Sequence, residues 1–200
     1  HIDYYRPFYT EATITSADFF STSLYINTTK YPFKIESMKF VFDHESFTLG
    51  ASQILLFEKE TGRILSGTGD LSFIGFVTGG EDGYVTITQN LKNSGAKEGD
   101  VVVFRTGDRP HPTILVYRSI GTTLDNVFIH NSEGMAVICQ RSEDINIINS
   151  GVNCLENRYH SSSADATHFS NCKGQINVKN SVFEGMMDDA INVHSTSLKI

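Results

Sequence analysis

The sequence has little of what would point to a nucleic acid or a membrane. No run of Lys or Arg stands out, and the formal net charge is −7. Neutralising phosphates needs clustered cations, so the charge balance argues against nucleic-acid and anionic-membrane partners. No apolar stretch approaches the roughly 20 residues of a membrane-spanning helix, and Val101-Val102-Val103-Phe104 is typical of the longest. Cysteine is scarce. Cys139, Cys154 and Cys172 are odd in number, widely spaced and free of any CxxC pattern, which removes a zinc site and leaves them as small core or turn residues. Long 3.6-residue periodicity is missing, so helices are not expected. There is no initiating Met and no signal-peptide pattern at His1, and the chain reads as a piece of a longer protein.

What is present is an all-β chain. Apolar residues make up 40% and charged ones 20% of its 200 residues, enough for one or two folded domains with a sizeable core. Its two parts have different grammar. Before about residue 118 the chain carries hairpin punctuation at Glu60-Thr61-Gly62-Arg63, Gly67-Thr68-Gly69-Asp70, Thr78 to Gly83 and Lys97-Glu98-Gly99-Asp100. Alternating strands such as Tyr84-Val85-Thr86-Ile87-Thr88 lie between the turns. Short turns between antiparallel strands predict a small barrel or sandwich. Arg109-Pro110-His111-Pro112 breaks any strand and looks like a junction.

From about residue 118 the chain is a ladder. Val127 to Ser132, Ile145 to Ser150 and Ile176 to Ser181 share the pattern apolar–x–apolar–x–Asn–Ser, at spacings of 18 and 31 residues. Repeats of this length with short strands mark a solenoid. The Asn falls where the chain must bend, because Asn tolerates left-handed geometry, and stacked coils can align such side chains. A second strand follows in each coil, with Ala136, Ala166 and Ala190 in register. Alternation then puts Val137, Thr167, Ile191, Cys139, Phe169 and Val193 inside, and Ile138, His168, Asn192, Gln140, Ser170 and His194 outside. The expected division is a solenoid strand over residues 1–9, an inserted barrel over 10–117 and the solenoid over 118–200. A chain stopping at Ile200 would leave the solenoid uncapped, so a further C-terminal part is expected.

Two aspartate motifs sit on adjacent coils. Ala164-Asp165-Ala166-Thr167-His168 precedes Met187-Asp188-Asp189-Ala190-Ile191-Asn192-Val193-His194, with Asp165 and Asp189 separated by 24 residues. If the coils stack, three carboxylates converge. Carboxylates only accept hydrogen bonds and repel one another, so such a cluster is costly unless it binds something or shares protons. An acid–base site for glycosidic bonds needs that arrangement. A turn-forming role in a solenoid is the plainer reading of an Asp. His168, Asn192 and His194 are candidates for hydrogen bonds to sugar hydroxyls, or equally for satisfied residues between coils. Arg158, in the longer loop with Glu156, Tyr159 and His160, is a weaker candidate for substrate binding.

These motifs, with Ile2 to Phe8, Glu98 to Arg105 and Arg109-Pro110, resemble glycoside hydrolase family 110, the exo-acting α-1,3-galactosidases. The resemblance runs over most of the chain and is strongest from 153 to 196. It implies a right-handed parallel β-helix carrying a small β-barrel insertion, an inverting and metal-independent reaction without cofactor, and a glycan ending in α-galactose as substrate. It also implies that Asp165 resembles the general acid, and Asp188 and Asp189 the pair that activates water. Inversion usually needs carboxyl groups about 6.5–9.5 Å apart. Adjacent coils are only about 4.8 Å apart, so Asp188, offset by one residue, is expected to give the longer separation. The spacing leaves the reverse assignment of acid and base open. Three rival readings remain: a polygalacturonase-like pectinase, a non-catalytic carbohydrate-binding solenoid or adhesin, and a Ca²⁺ site. No Gly-His-Gly or Arg-Ile-Lys signature supports the pectinase, and only Lys173 and Lys179 supply cations from 160 to 195. An adhesin needs no carboxylate cluster, and the Ca²⁺ reading lacks a DxDxDG-type loop. Extracellular glycans imply a secreted, periplasmic or cell-surface protein, and homo-oligomerisation stays open.

Overall fold

A computed structural model describes residues 1–3, 7–43, 48–155 and 157–196. Tyr4, Tyr5 and Arg6, part of the stretch carrying the family resemblance, and Glu156 of the long loop lie outside them. The described residues are all-β apart from two short 3₁₀ turns. The chain divides into two compact units, Arg6–Gly107 and His1–Tyr5 with Asp108–Ile200.

The first unit is antiparallel. Its strands are β1 (Tyr9–Ala17), β2 (Thr22–Ile26), β3 (Lys34–Glu36), β4 (Lys39–Asp43), β5 (Thr48–Gly50), β6 (Gln53–Phe57), β7 (Leu71–Ser72), β8 (Val77–Gly79), β9 (Tyr84–Ile87) and β10 (Val101–Arg105). Seven of them form one sheet in the order β7-β6-β10-β1-β2-β9-β8, and β3-β4-β5 form a second. The edge strands β7 and β8 are joined by only residues 73–76, so the sheet must curl until its edges approach, which is how a barrel removes its open edges. Val77 N–H also reaches the Met38 carbonyl at 2.8 Å. The interior is aromatic: Phe40, Phe73 and Phe104 pack with ring centroids 4.8–6.2 Å apart, in the tilted and edge-on geometries rings prefer. The expected turns fall where glycine is required. Gly83 has φ of +83°, and a Cβ there would run into the Ile26 carbonyl oxygen.

The second unit winds in coils. Its strands are β11 (Ile114–Tyr117), β12 (Thr123–Asp125), β13 (Phe128–Ile129), β14 (Val137–Gln140), β15 (Glu143–Ile148), β16 (Gly151–Val152), β17 (Thr167–Ser170), β18 (Lys173–Lys179), β19 (Val182–Phe183) and β20 (Ile191–His194). They form three parallel ladders, β11-β14-β17-β20, β12-β15-β18 and β13-β16-β19. Ile2 adds a parallel bridge to Ile129 in the third ladder. The chain thus starts in the coil unit, leaves for the antiparallel unit and returns. The boundary lies at Gly107, not at 117, because Ile114–Tyr117 pairs in parallel with Val137–Gln140.

The repeat itself needs one correction. Thr123 pairs with Asn146, which makes Asn126 the counterpart of Asn149 and then of Asn180. All three have positive φ, of 57°, 48° and 50°. Asn131, placed in this column by the Asn–Ser pattern, is buried in a different part of its coil. The spacing is therefore 23 residues followed by 31. The extra residues lie between β16 and β17, in the loop that holds Arg158, Tyr159 and His160. The asparagines do stack: Asn180 donates to Asn149 at 3.3 Å and Asn149 to Asp125 at 3.0 Å, with Asn177 to Asn146 at 3.0 Å alongside. Asn149→Val should cost about 2–3 kcal/mol, from left-handed strain and a lost hydrogen bond, and Asn149→Gly clearly less. Urea midpoints of the two variants measure this, and equal midpoints would remove the left-handed argument.

Inside the coils sit Val137, Cys139, Ile145, Ile147 and Phe169 with the alanine column Ala136 and Ala166. Burial pushes the Cys139 thiol up to about 12, with Cys172 nearby adding to it, so Cys139 behaves as a small core residue. Ile191 and Val193 continue the inward file but are exposed, since no described strand lies beyond β20. Ser170, expected outside, is buried and accepts a hydrogen bond from Asn171 at 3.3 Å.

Candidate active site

The three carboxylates are assembled by ladder hydrogen bonds. Ala136 N–H donates to the Asp165 carbonyl and Ala166 N–H to the Asp189 carbonyl, each at 2.9 Å. Asp165 and Asp189 are therefore in register on adjacent coils, two residues ahead of β17 and β20. Asp188 precedes Asp189 and is offset from that column. One carboxylate oxygen from each of Asp165, Asp188 and Asp189 lies within 4.8 Å of the other two. Asp165 is 2% exposed, whereas Asp188 and Asp189 face solvent.

Each carboxylate has a different partner. Arg109 Nη1 holds Asp188 Oδ2 at 2.8 Å. Asn192 Nδ2 donates to Asp189 Oδ2 at 3.1 Å. His168 Nδ1 meets Asp165 Oδ2 at 2.6 Å. His194 Nε2 in turn meets His168 Nε2 at 2.8 Å, with the rings edge to face. Two like charges about 4 Å apart repel by roughly 1 kcal/mol in bulk water and about 4 kcal/mol near a protein surface. A partly exposed ion pair such as Arg109–Asp188 contributes about 0–1 kcal/mol. One guanidinium therefore does not relieve three ionised carboxylates, and the remaining relief must come from a proton or a ligand.

The aspartates, His168, Asn192 and His194, named from the sequence, thus come together. Arg158 goes elsewhere: its Nη1 holds Asp3 Oδ1 at 2.8 Å, tying the long loop to the N-terminal segment. Arg109 was missed as a site residue. Its signals were its place in a strand-breaking Arg-Pro-His-Pro segment and in the Arg109-Pro110 stretch of the family resemblance, and neither says which coil it faces. It brings a cation to a region that supplied only Lys173 and Lys179 from its own stretch. By distance alone the carboxylates form a cluster a hard cation would accept. The guanidinium already bound at Asp188 opposes a second positive charge there.

Comparisons with known proteins bear on this geometry. Residues 10–102 match the family model described as GLAA-B beta-barrel domain I. The chain is 42% identical, over its whole length, to α-1,3-galactosidase B of Akkermansia muciniphila. It is 36% identical over 84% of its length to α-1,3-galactosidase B of Parabacteroides distasonis. A 34% identity over 52% of the chain links it to α-1,3-galactosidase A of Shewanella woodyi. The chain belongs to glycoside hydrolase family 110. It spans 25%, 28% and 17% of those three relatives. The matched model covers residues 10–102 of the antiparallel unit, and the match to the Akkermansia muciniphila protein runs on across the coil unit.

Proposed function

We propose that the protein is an exo-acting glycoside hydrolase that removes terminal α-1,3-linked galactose, of the blood-group-B or linear α-galactosyl kind, with inversion. The observation that carries this is the cluster of three carboxylates with three unlike partners. Unlike surroundings separate the roles of chemically identical groups. Asp165, 2% exposed and beside the other two carboxylates, is assigned as the acid. Asp188, paired to Arg109, and Asp189 form the base that takes a proton from water. Asp165 gives its proton to the leaving glycosidic oxygen as the bond from C1 to that oxygen breaks. Water attacks C1 from the opposite face and releases β-galactose.

One oxygen of each carboxylate lies within 4.8 Å of the other two, on the short side of an inverting window of about 6.5–9.5 Å that is measured between whole carboxyl groups. Inversion fits this spacing because two carboxylates hold the water. A water bridging Asp188 and Asp189 lies off the line from either to Asp165, so sugar and water need not fit end to end between two single groups. One observation favours a second assignment: Asp165 and Asp189 stand side by side on adjacent coils, a pair able to grip one water, which leaves the offset Asp188 as the acid. The coil unit is read as a right-handed parallel β-helix and the antiparallel unit as its inserted barrel. A glycan substrate implies a secreted, periplasmic or cell-surface setting. The pectinase reading is weaker because Arg109, the cation that the described residues bring to the carboxylates, is engaged by Asp188. An adhesin has no need of the cluster.

Proton NMR of the full-length protein acting on a blood-group-B trisaccharide tests the reaction. Inversion releases β-galactose in the first minutes. Early α-galactose would mean retention and would remove the bridged-water geometry. No galactose, with polygalacturonate cleaved instead, would establish the pectinase.

A further inference from the structure

The contacts beside Asp165 form a continuous chain from the interior to the surface. Asp165 is 2% exposed. His168, half-buried, meets it through Nδ1 at 2.6 Å and meets exposed His194 through Nε2 at 2.8 Å. Two ring nitrogens at that distance need one proton between them, so the two imidazoles together hold at most one excess proton. We propose that His194 and His168 are a proton relay that returns a proton to Asp165 after each turnover. This rests on the acid role given above to Asp165.

The proton count closes. After Asp165 has given its proton to the leaving oxygen, its carboxylate accepts the His168 Nδ1–H. A solvent proton binds His194 Nδ1, the proton between the rings moves from His194 Nε2 to His168 Nε2, and the His168 Nδ1 proton moves to Asp165 Oδ2. Each ring gains one proton and gives one, so a pass leaves His194 protonated at Nδ1 and His168 at Nε2. Both rings turn over about Cβ–Cγ to restore the starting tautomers before the next pass, and Asp165 is recharged without opening its buried side to water. Among the described residues, the groups that face this chain come from the adjoining coils. Asp188 and Asp189 approach Asp165 from the adjoining coil, with Arg109 and Asn192 attached to them. On the preceding coil Ile138 and Gln140 lie beside His168 and Ser170, and neither titrates. His194 thus gives the chain its exposed proton-accepting end. A purely structural pair of rings would be served as well by non-titrating side chains.

The test uses full-length protein and its His194→Gln and His168→Gln variants. Each is assayed on an α-1,3-galactosyl disaccharide and on dinitrophenyl α-galactoside, whose leaving group needs no proton, across pH and with and without added imidazole. For His194→Gln, kcat on the disaccharide should fall about tenfold or more, at the lower edge of what general acid catalysis contributes. KM and the rate on the aryl galactoside should hardly move, and imidazole should restore the lost rate. His194 faces solvent, so this variant tests the relay even if His168→Gln fails to fold. A raised KM at constant kcat would make His194 a sugar-binding residue and overturn the relay. Equal loss on both substrates, no restoration by imidazole, or an unchanged kcat at every pH would overturn it too. If the unsubstituted protein releases galactose from neither substrate, the galactosidase reading itself falls and the relay with it.

Discussion

Asp165→Asn should lower kcat/KM for an α-1,3-galactosyl disaccharide by about 10²–10⁴, the range that general acid catalysis supplies. On dinitrophenyl α-galactoside the same variant should lose less than about tenfold, because that leaving group departs as a stable anion. Asp189→Asn should lose activity on both substrates, since the water must be activated whatever leaves. The contrast follows from the arrangement of partners. Asp165 is buried against two other carboxylates with an imidazole at 2.6 Å, whereas Asp188 is exposed and bound by the Arg109 guanidinium. Asparagine is close in shape to aspartate, so the cluster should keep its geometry and the difference should report protons. If the leaving-group-selective loss appears in Asp188→Asn instead, the roles exchange, and Asp165 with Asp189 holds the water. Full activity of all three variants on the disaccharide would remove the carboxylates from the mechanism.

Phe169→Ala should destabilise the coil unit by about 3–5 kcal/mol, the cost of deleting a buried aromatic and leaving its cavity. Phe169 is fully buried, pairs in register with Cys139 and Val193 and packs among the core of the coils. A typical domain has only about 5–15 kcal/mol to lose. At roughly 4–8 °C per kcal/mol for a unit of this size, the unfolding midpoint should drop by about 20 °C. Phe169→Leu keeps most of the volume and should cost less than about 1.5 kcal/mol. Thermal unfolding followed by circular dichroism separates the two, and equal midpoints would show that Phe169 does not fill the coil. Asp165 lies on the run that leads into Phe169's strand, so galactosidase activity should fall with the midpoint.

Much of the fold was legible because strand grammar is local. Alternation placed Val137, Cys139, Thr167 and Phe169 inside, and the ladder buries all four. Glycine turns marked the antiparallel unit, since Gly83 stands where a side chain would meet the Ile26 carbonyl oxygen. The alanine column gave the register of the aspartate coils, because Ala136 and Ala166 lie at fully buried positions where coils pack closely. The Asn column was misread at one coil: an Asn–Ser pair at 131 imitates the bend at Asn126, and strand register and backbone φ separate the two.

The sequence by itself determined the all-β character, the two grammars and the convergence of Asp165 with Asp188 and Asp189, because strand alternation and coil length depend on residues close in the chain. Only the tertiary structure decided who holds each carboxylate. Arg109 reaches Asp188 across 79 residues, and Arg158 leaves the site for Asp3 across 155. His194 completes the chain to Asp165 through His168 from the next coil, 26 residues on. A salt bridge or a ring-to-ring proton contact depends on distances of about 3 Å between residues far apart in sequence, and no local pattern encodes those distances.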